Sequence, residues 1–127
     1  MSQDSEMRDV CNRFLDAIEA RRLDIIEEIM SPDLQFWANF TNQTKGREEM
    51  LKAIADGYAV HRRRTYDDRR INSFDGGFVS QHSCNIVRHD GSKSSYWAGL
   101  VAEVREGRIV RIDEYMDSGK FPKPAAK

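Results

Sequence analysis

Phe78-Val79-Ser80-Gln81-His82-Ser83-Cys84-Asn85-Ile86-Val87-Arg88 stands between two turn signals, Asp75-Gly76-Gly77 before it and His89-Asp90-Gly91-Ser92 after it. Glycine enters positive φ without a Cβ penalty, and Asp-Gly is a strong hairpin signal. Ser94 to Val104 is a second strand-like stretch, and Glu106-Gly107 divides it from a third, Arg108 to Asp117. Thr65 to Phe74, charged and extended, feeds the first turn. Strands joined by connections this short are antiparallel neighbours, so the C-terminal half predicts a meander.

Upstream of that meander the period changes from two to three and four. Met7, Val10, Cys11, Phe14, Leu15 and Ile18 mark one face of a helix, with Asp9, Arg13, Asp16 and Glu19 between them. A second helix is predicted over Leu23 to Met30, stopped by Ser31-Pro32, because proline disfavours the helical region for the residue before it. Leu34 to Phe40 reads as a strand, Asn42 to Gly46 as a polar loop, and Arg47 to Tyr58 as a third helix. Helices first and a turn-linked sheet after give an α+β layout, with the helices on one face of the sheet.

The chain has 127 residues, 20 of them basic and 21 acidic. Such length suits one core, and the reading is one domain over 1–120 with a loose tail over 121–127 that holds Pro122 and Pro124. The net charge of −1 offers no general attraction to nucleic acid or anionic membrane. Met1 to Asp9 is polar and acidic, with no signal-peptide h-region, and no apolar run is long enough to span a bilayer. Cys11 and Cys84 read as small buried hydrophobes in a reducing compartment, which makes the cytoplasm the expected location. No phosphate loop, nucleophile elbow or metal-ligand cluster occurs, so no cofactor is expected.

The order of elements resembles the nuclear-transport-factor-two-like superfamily, specifically its SnoaL-like branch. Phe14-Leu15-Asp16-Ala17 through Leu23-Asp24, Trp37-Ala38-Asn39 and Gly46-Arg47-Glu48 carry the resemblance in the first half. Phe74 to Phe78, Glu106-Gly107-Arg108-Ile109 and Asp113-Glu114-Tyr115-Met116-Asp117 carry it in the second. The resemblance implies a conical, strongly curved antiparallel sheet, a cystatin-like roll, whose concave side is closed by three helices round a small-molecule pocket. It also implies a homodimer through the convex sheet face. Polyketide cyclases, ketosteroid isomerases, limonene epoxide hydrolases and transport adaptors share this fold, so the reaction stays open.

Carried over position by position, the isomerase chemistry finds Phe14, Ala38 and Leu100 where it needs a tyrosine, a base and an acid. The epoxide-hydrolase pattern matches Trp37-Ala38-Asn39 and Asp117 but lacks its Arg-x-Asp, which falls near Gln81-His82-Ser83. The cyclase pattern asks for one aspartate at the end of the last strand, and Asp117 meets it. Asp117 is therefore the expected acid/base and His82 its assistant, in a pocket shaped by Trp37, Asn39, Tyr58, Trp97 and Tyr115. The expected ligand is a lipophilic, oxygenated small molecule, with a non-catalytic binding protein of the same fold as the alternative.

Each of these residues also has a plain structural reading. Asp117 caps a strand end in solvent, His82 is a satisfied interior group, and Trp37 is core packing. Asp113, Tyr115 and Asp117 share one strand face by parity, and Tyr96 and Trp97 point to opposite faces. His61-Arg62-Arg63-Arg64 is the one basic run and could meet an anionic substrate or cofactor tail, but with Asp67-Asp68 and Arg69-Arg70 following it reads as a solvated, charge-paired outer strand.

Overall fold

A computed structural model describes residues 2–117; the expected tail over 121–127 lies outside the described residues. Helix α1 (Gln3–Glu19) starts at Ser2, whose Oγ accepts from the Ser5 N–H, with Asp4 and Glu6 in its first turn. Met7, Val10, Cys11, Phe14, Leu15 and Ile18 form its buried stripe. Arg21 ends it in the left-handed region at φ 60°, and the Arg22 N–H closes back on the Ala17 carbonyl. Then follow α2 (Leu23–Ile29), β1 (Met30–Ala38), β2 (Gln43–Lys45) and α3 (Arg47–Val60). The long strands β3 (His61–Phe74), β4 (Gly77–Arg88), β5 (Lys93–Arg105) and β6 (Arg108–Met116) complete the described fold.

The six strands form one curved sheet in the order β2-β1-β6-β5-β4-β3, with β3 to β6 as the predicted antiparallel meander. Strand β1 adds beside β6 in parallel, the one pairing of that sense among the described strands. It begins at Met30, earlier than the Leu34 expected from sequence. Pro32 is tolerated there because the ladder to β6 shifts register between Met30 and Gln35, so its missing N–H falls where no partner is waiting. The Asn42–Gly46 stretch, expected as loop, pairs briefly as edge strand β2.

All three helices pack on one sheet face. Its core joins Phe14, Leu15 and Ile26 to Phe78, Ile109 and Ile112, all nearly solvent-free. Gly77 makes the tightest backbone approach: a Cβ there would lie 2.1 Å from the Ala102 carbonyl oxygen and 2.4 Å from the Phe74 ring.

A bulge between Asp67 and Arg70, with Asp68 at φ 54°, breaks the alternation of β3 and turns Arg69 under α1. Arg69 there donates to Asn12 (2.9 Å), Asp16 (2.8 Å) and Glu19 (3.3 Å), and the Tyr66 N–H donates to Glu19 Oε2. This network ties the helix to the sheet edge.

Candidate active site

Sheet curvature and the cover of α1 and α3 leave a pocket of about 190 Å3 on the concave side. Alternation decides who lines it. On β6 the inward residues are Ile112, Glu114 and Met116, and Glu114 pairs with Ala38 of β1 and Leu100 of β5, both buried on the same face. On β5 the inward residue is Tyr96, 5 % exposed, while its neighbour Trp97 is 56 % exposed on the convex side. On β3 a register shift between His61 and Arg63 separates Arg64, which lines the pocket, from exposed Arg62 and Arg63. The arginine run is thus a solvated face with one exception, and that exception enters the pocket.

Two chemical regions result. Phe36, Met50, Ala53 and Ile54 supply an apolar wall. Glu114, Arg64, Tyr96, His61 and Tyr58 supply the polar one. Burial pushes the Glu114 carboxyl up to about 7, and the favourable charge of Arg64 only partly offsets this. Burial works against the charge on Arg64, but the hydroxyls of Tyr66 and Tyr96 and the Cys84 thiol favour it, so the group stays a guanidinium. Burial also raises Tyr58 and Tyr96, and burial with nearby Arg64 lowers His61. At neutral pH the polar end of the pocket therefore sets a neutral imidazole and neutral phenols beside the Arg64 cation and a Glu114 carboxyl poised near half-ionisation, with Glu19, Arg21 and Lys45 as the other charged groups of the lining.

Of the residues singled out from sequence, Tyr58 lines this pocket; its hydroxyl donates to the Ile18 carbonyl at 2.9 Å and Arg21 lies over its ring at 5.0 Å. Asn39, Trp97 and Tyr115 come together elsewhere, in a shallow hollow on the convex face, with Trp37 edge-on to Tyr115 at 5.3 Å. The Asn39 amide lies past the end of β1, donates to the Met116 carbonyl and accepts from its N–H, both at 3.0 Å, extending the ladder with a side chain.

His82 is fully buried beneath α1, with Nδ1 2.9 Å from Ser80 Oγ and its ring edge-on to Tyr66; burial and Arg69 lower it to about 4. Asp117 is exposed just past β6. Neither lines the pocket. The expected shared face of Asp113, Tyr115 and Asp117 breaks at Asp117, where the strand has ended, and the part of it that β6 keeps is the outer one.

Sequence reasoning set Arg64 aside with its run as a solvated, charge-paired strand and passed over Glu114. A signal for Glu114 was present: it alternates with Ile112 and Met116 as the one charged residue in an apolar register. For Arg64 the signal was weaker: it alternates with Tyr66 in an unshifted stretch of β3, but the shift before Arg63 breaks the count from His61, and Arg62 and Arg63 beside it are solvated.

No helix among the described residues is long and apolar enough to cross a membrane, and no group of three His, Cys, Asp or Glu side chains there could hold a metal. Cys11 and Cys84 are buried free thiols.

Solved structures share this architecture at low sequence identity. A candidate polyketide cyclase from Xanthomonas campestris pv. campestris superposes with a TM-score of 0.85 at 16 % identity, covering 94 % of this chain and 96 % of that one. An epoxide hydrolase of the limonene-epoxide-hydrolase-like type from M. tuberculosis gives 0.78 at 16 % identity, over 94 % and 88 %. A candidate ketosteroid isomerase from Kribbella flavida gives 0.73 at 16 %, over 98 % and 87 %. At such identities the likeness speaks for the fold alone. Among curated proteins no sequence matches the chain. The SnoaL-like domain profile matches residues 11–112, a span that includes Arg64 and stops two residues short of Glu114, and the chain belongs to the SnoaL-like domain family.

Proposed function

We propose that the protein is an acid/base catalyst acting on a lipophilic, oxygenated small molecule held in the concave pocket, with Glu114 as the proton carrier. The supporting observation is a carboxyl set in the pocket wall, poised near neutrality by burial and facing the Arg64 cation. Ionised Glu114 takes a proton from a carbon beside a carbonyl. The electron pair moves onto the carbonyl oxygen, and Arg64 stabilises the resulting enolate. The Glu114 acid then returns the proton at the same or a conjugated carbon, or the enolate carbon attacks a second carbonyl carbon of the same molecule, whose π electrons pass to its oxygen, and Glu114 gives that alkoxide the proton. Tyr58 borders the pocket mouth, and Tyr96 flanks the polar end. In this assignment Glu114 takes the role that the sequence pattern gave to Asp117.

The test needs no knowledge of the natural substrate. A panel of aryl 1,3-diketones in deuterium oxide is followed for protein-dependent deuterium uptake at the carbon between the carbonyls. Glu114→Gln is expected to slow that uptake by about 100-fold or more. Undiminished protein-dependent uptake in a folded variant refutes the role of Glu114 and assigns the exchange to another group, whereas no protein-dependent uptake in the unaltered chain leaves the non-catalytic binding reading.

The convex face supports a second-copy contact as part of the same proposal. Trp97 and Tyr115 are 56 % and 48 % exposed there, flanked by Arg70, whose guanidinium lies 5.9 Å from the Trp97 ring.

A further inference from the structure

The charged groups lining the concave pocket are Glu19, Arg21, Lys45, His61, Arg64 and Glu114, and several are already engaged. Glu19 accepts from the Tyr66 N–H and the Arg69 guanidinium. Arg21 donates to the carbonyls of Tyr58, His61 and Arg62, closing the end of α3. His61 is held toward its neutral form. The remaining charges are Lys45, Arg64 and Glu114.

Arg64 is the anomaly. Its Nε is buried without a hydrogen-bond partner, and its Nη1 reaches only the Tyr66 hydroxyl, at 3.5 Å. Among the described residues no carboxylate lies within ion-pair distance of it. A guanidinium carries five donors in a planar fork, and leaving one of them, Nε, buried and unpaired is unfavourable. A neutral carbonyl presents one oxygen to that fork, whereas a carboxylate presents two oxygens and a compensating charge in matching bidentate geometry. The Met50, Ile54 and Phe36 wall of the same pocket calls for an apolar body attached to the acid.

The geometry points to an amphipathic monocarboxylic acid as the ligand class, its carboxylate on Arg64 and its hydrocarbon or aryl body against Phe36, Met50 and Ile54. This narrows the proposed function and rests on the same pocket, but it requires Arg64 rather than Glu114. The carboxylate is the anchoring group and takes two of the five guanidinium donors, which leaves others for the enolate oxygen of the proposed step; the carbon that Glu114 would deprotonate belongs to the rest of the molecule.

The test uses three probes with one phenylbutyl skeleton: 4-phenylbutyrate, its methyl ester and 4-phenyl-1-butanol. Their dissociation constants are measured by NMR titration at pH 7.5 on the full chain, Arg64→Met and Glu114→Gln. The acid is expected to bind the unaltered chain at least about tenfold tighter than the ester or alcohol, and Arg64→Met is expected to erase that preference while the ester still binds. Glu114→Gln, which puts a neutral amide of the same shape in place of the carboxyl, is expected to retain it.

Equal binding of acid and ester, an acid preference that survives Arg64→Met with native amide shifts, displacement of the acid by equimolar inorganic phosphate, or no binding of any probe at millimolar concentration would overturn the inference. The two readings separate cleanly. Lost acid preference with Glu114-dependent deuterium uptake intact overturns the anchor alone, and the reverse overturns the catalytic role alone.

Discussion

Glu114 of β6 and Arg64 of β3 line one pocket although β5 and β4 stand between their strands, and no ion pair within 4 Å joins them. Sheet curvature brings them into each other's field. The bulge that precedes Arg64 and the unbroken alternation from Ile112 to Met116 give both side chains the concave side. A charge pair held apart in a desolvated site leaves room between its members, and a substrate oxygen or acidic carbon fits there better than a closed salt bridge would permit.

The Glu114 carboxyl is expected to titrate near pH 7 in a carboxyl-carbon NMR experiment, well above the ordinary value of a glutamate carboxyl. Arg64→Met removes the one favourable charge and should move the midpoint higher still. A midpoint in the usual glutamate range would mean that water hydrates the carboxyl and the pocket is not desolvated.

The same group gives stability a pH dependence. Its folded value lies above its unfolded one, so between about pH 4.5 and 7 the folded chain binds more protons and stability falls as pH rises. The loss is on the order of 2 kcal/mol, with part of the shift discounted because the Glu114 residue keeps partial exposure. Denaturant unfolding of Glu114→Gln across that window should show the slope reduced by that amount; an unchanged slope would exonerate Glu114.

His82 acts in the opposite sense. Its folded value, lowered to about 4, lies below the unfolded one of 6.5, so the unfolded chain binds more protons and stability falls as pH drops through that interval. The two groups overlap between about pH 4.5 and 6.5 and partly cancel. In His82→Gln the acid-side loss should be smaller, whereas Glu114→Gln should expose it more fully. Identical acid limbs in all three proteins would refute the linkage.

How far the sequence foretold this arrangement follows from which residues obey a period. The meander was legible because Gly76, Gly91 and Gly107 sit where chain reversal needs positive φ, and α1 because its apolar stripe repeats without a break. The pocket as a fold property was legible through family likeness. Its chemistry was not. Parity shows that Glu114 and Tyr115 face opposite ways, but the choice of covered face depends on helices packed from elsewhere in the chain. The aromatic residues Trp37, Trp97 and Tyr115 therefore drew attention to the convex side. Arg64 was hidden by its neighbours, since composition describes Arg62 and Arg63 correctly and a local bulge makes the exception.

Arg69→Met tests the clamp between α1 and the β3 bulge. The side chain is 17 % exposed and holds Asp16, Asn12 and Glu19 together, so its loss leaves Glu19 with only the Tyr66 N–H and a distorted strand poorly supported. Destabilisation of about 2–3 kcal/mol is expected, read as a shift in the urea midpoint at constant m-value. Because Glu19 also borders the pocket, probe binding should weaken with it; a stable variant would assign the clamp to Glu19 and the Tyr66 N–H alone.

Gly77→Ala should be the most damaging single-methyl change in the sheet. The added carbon would sit 2.1 Å from the Ala102 carbonyl oxygen and 2.4 Å from the Phe74 ring, far inside van der Waals contact. The backbone carbonyl belongs to a ladder of β4 with β5 and cannot step aside, although the Phe74 ring, itself 40 % exposed, can swing out. Relief therefore requires the β3–β4 turn to separate from β5, at about 3 kcal/mol or more. Gly76→Ala, one residue earlier, meets no atom within 4 Å and suffers only from its φ of +85°, so it should be the milder change. Thermal unfolding of the two variants side by side distinguishes steric conflict from backbone strain, and a Gly77→Ala protein no less stable than Gly76→Ala would show that the turn adjusts without loss.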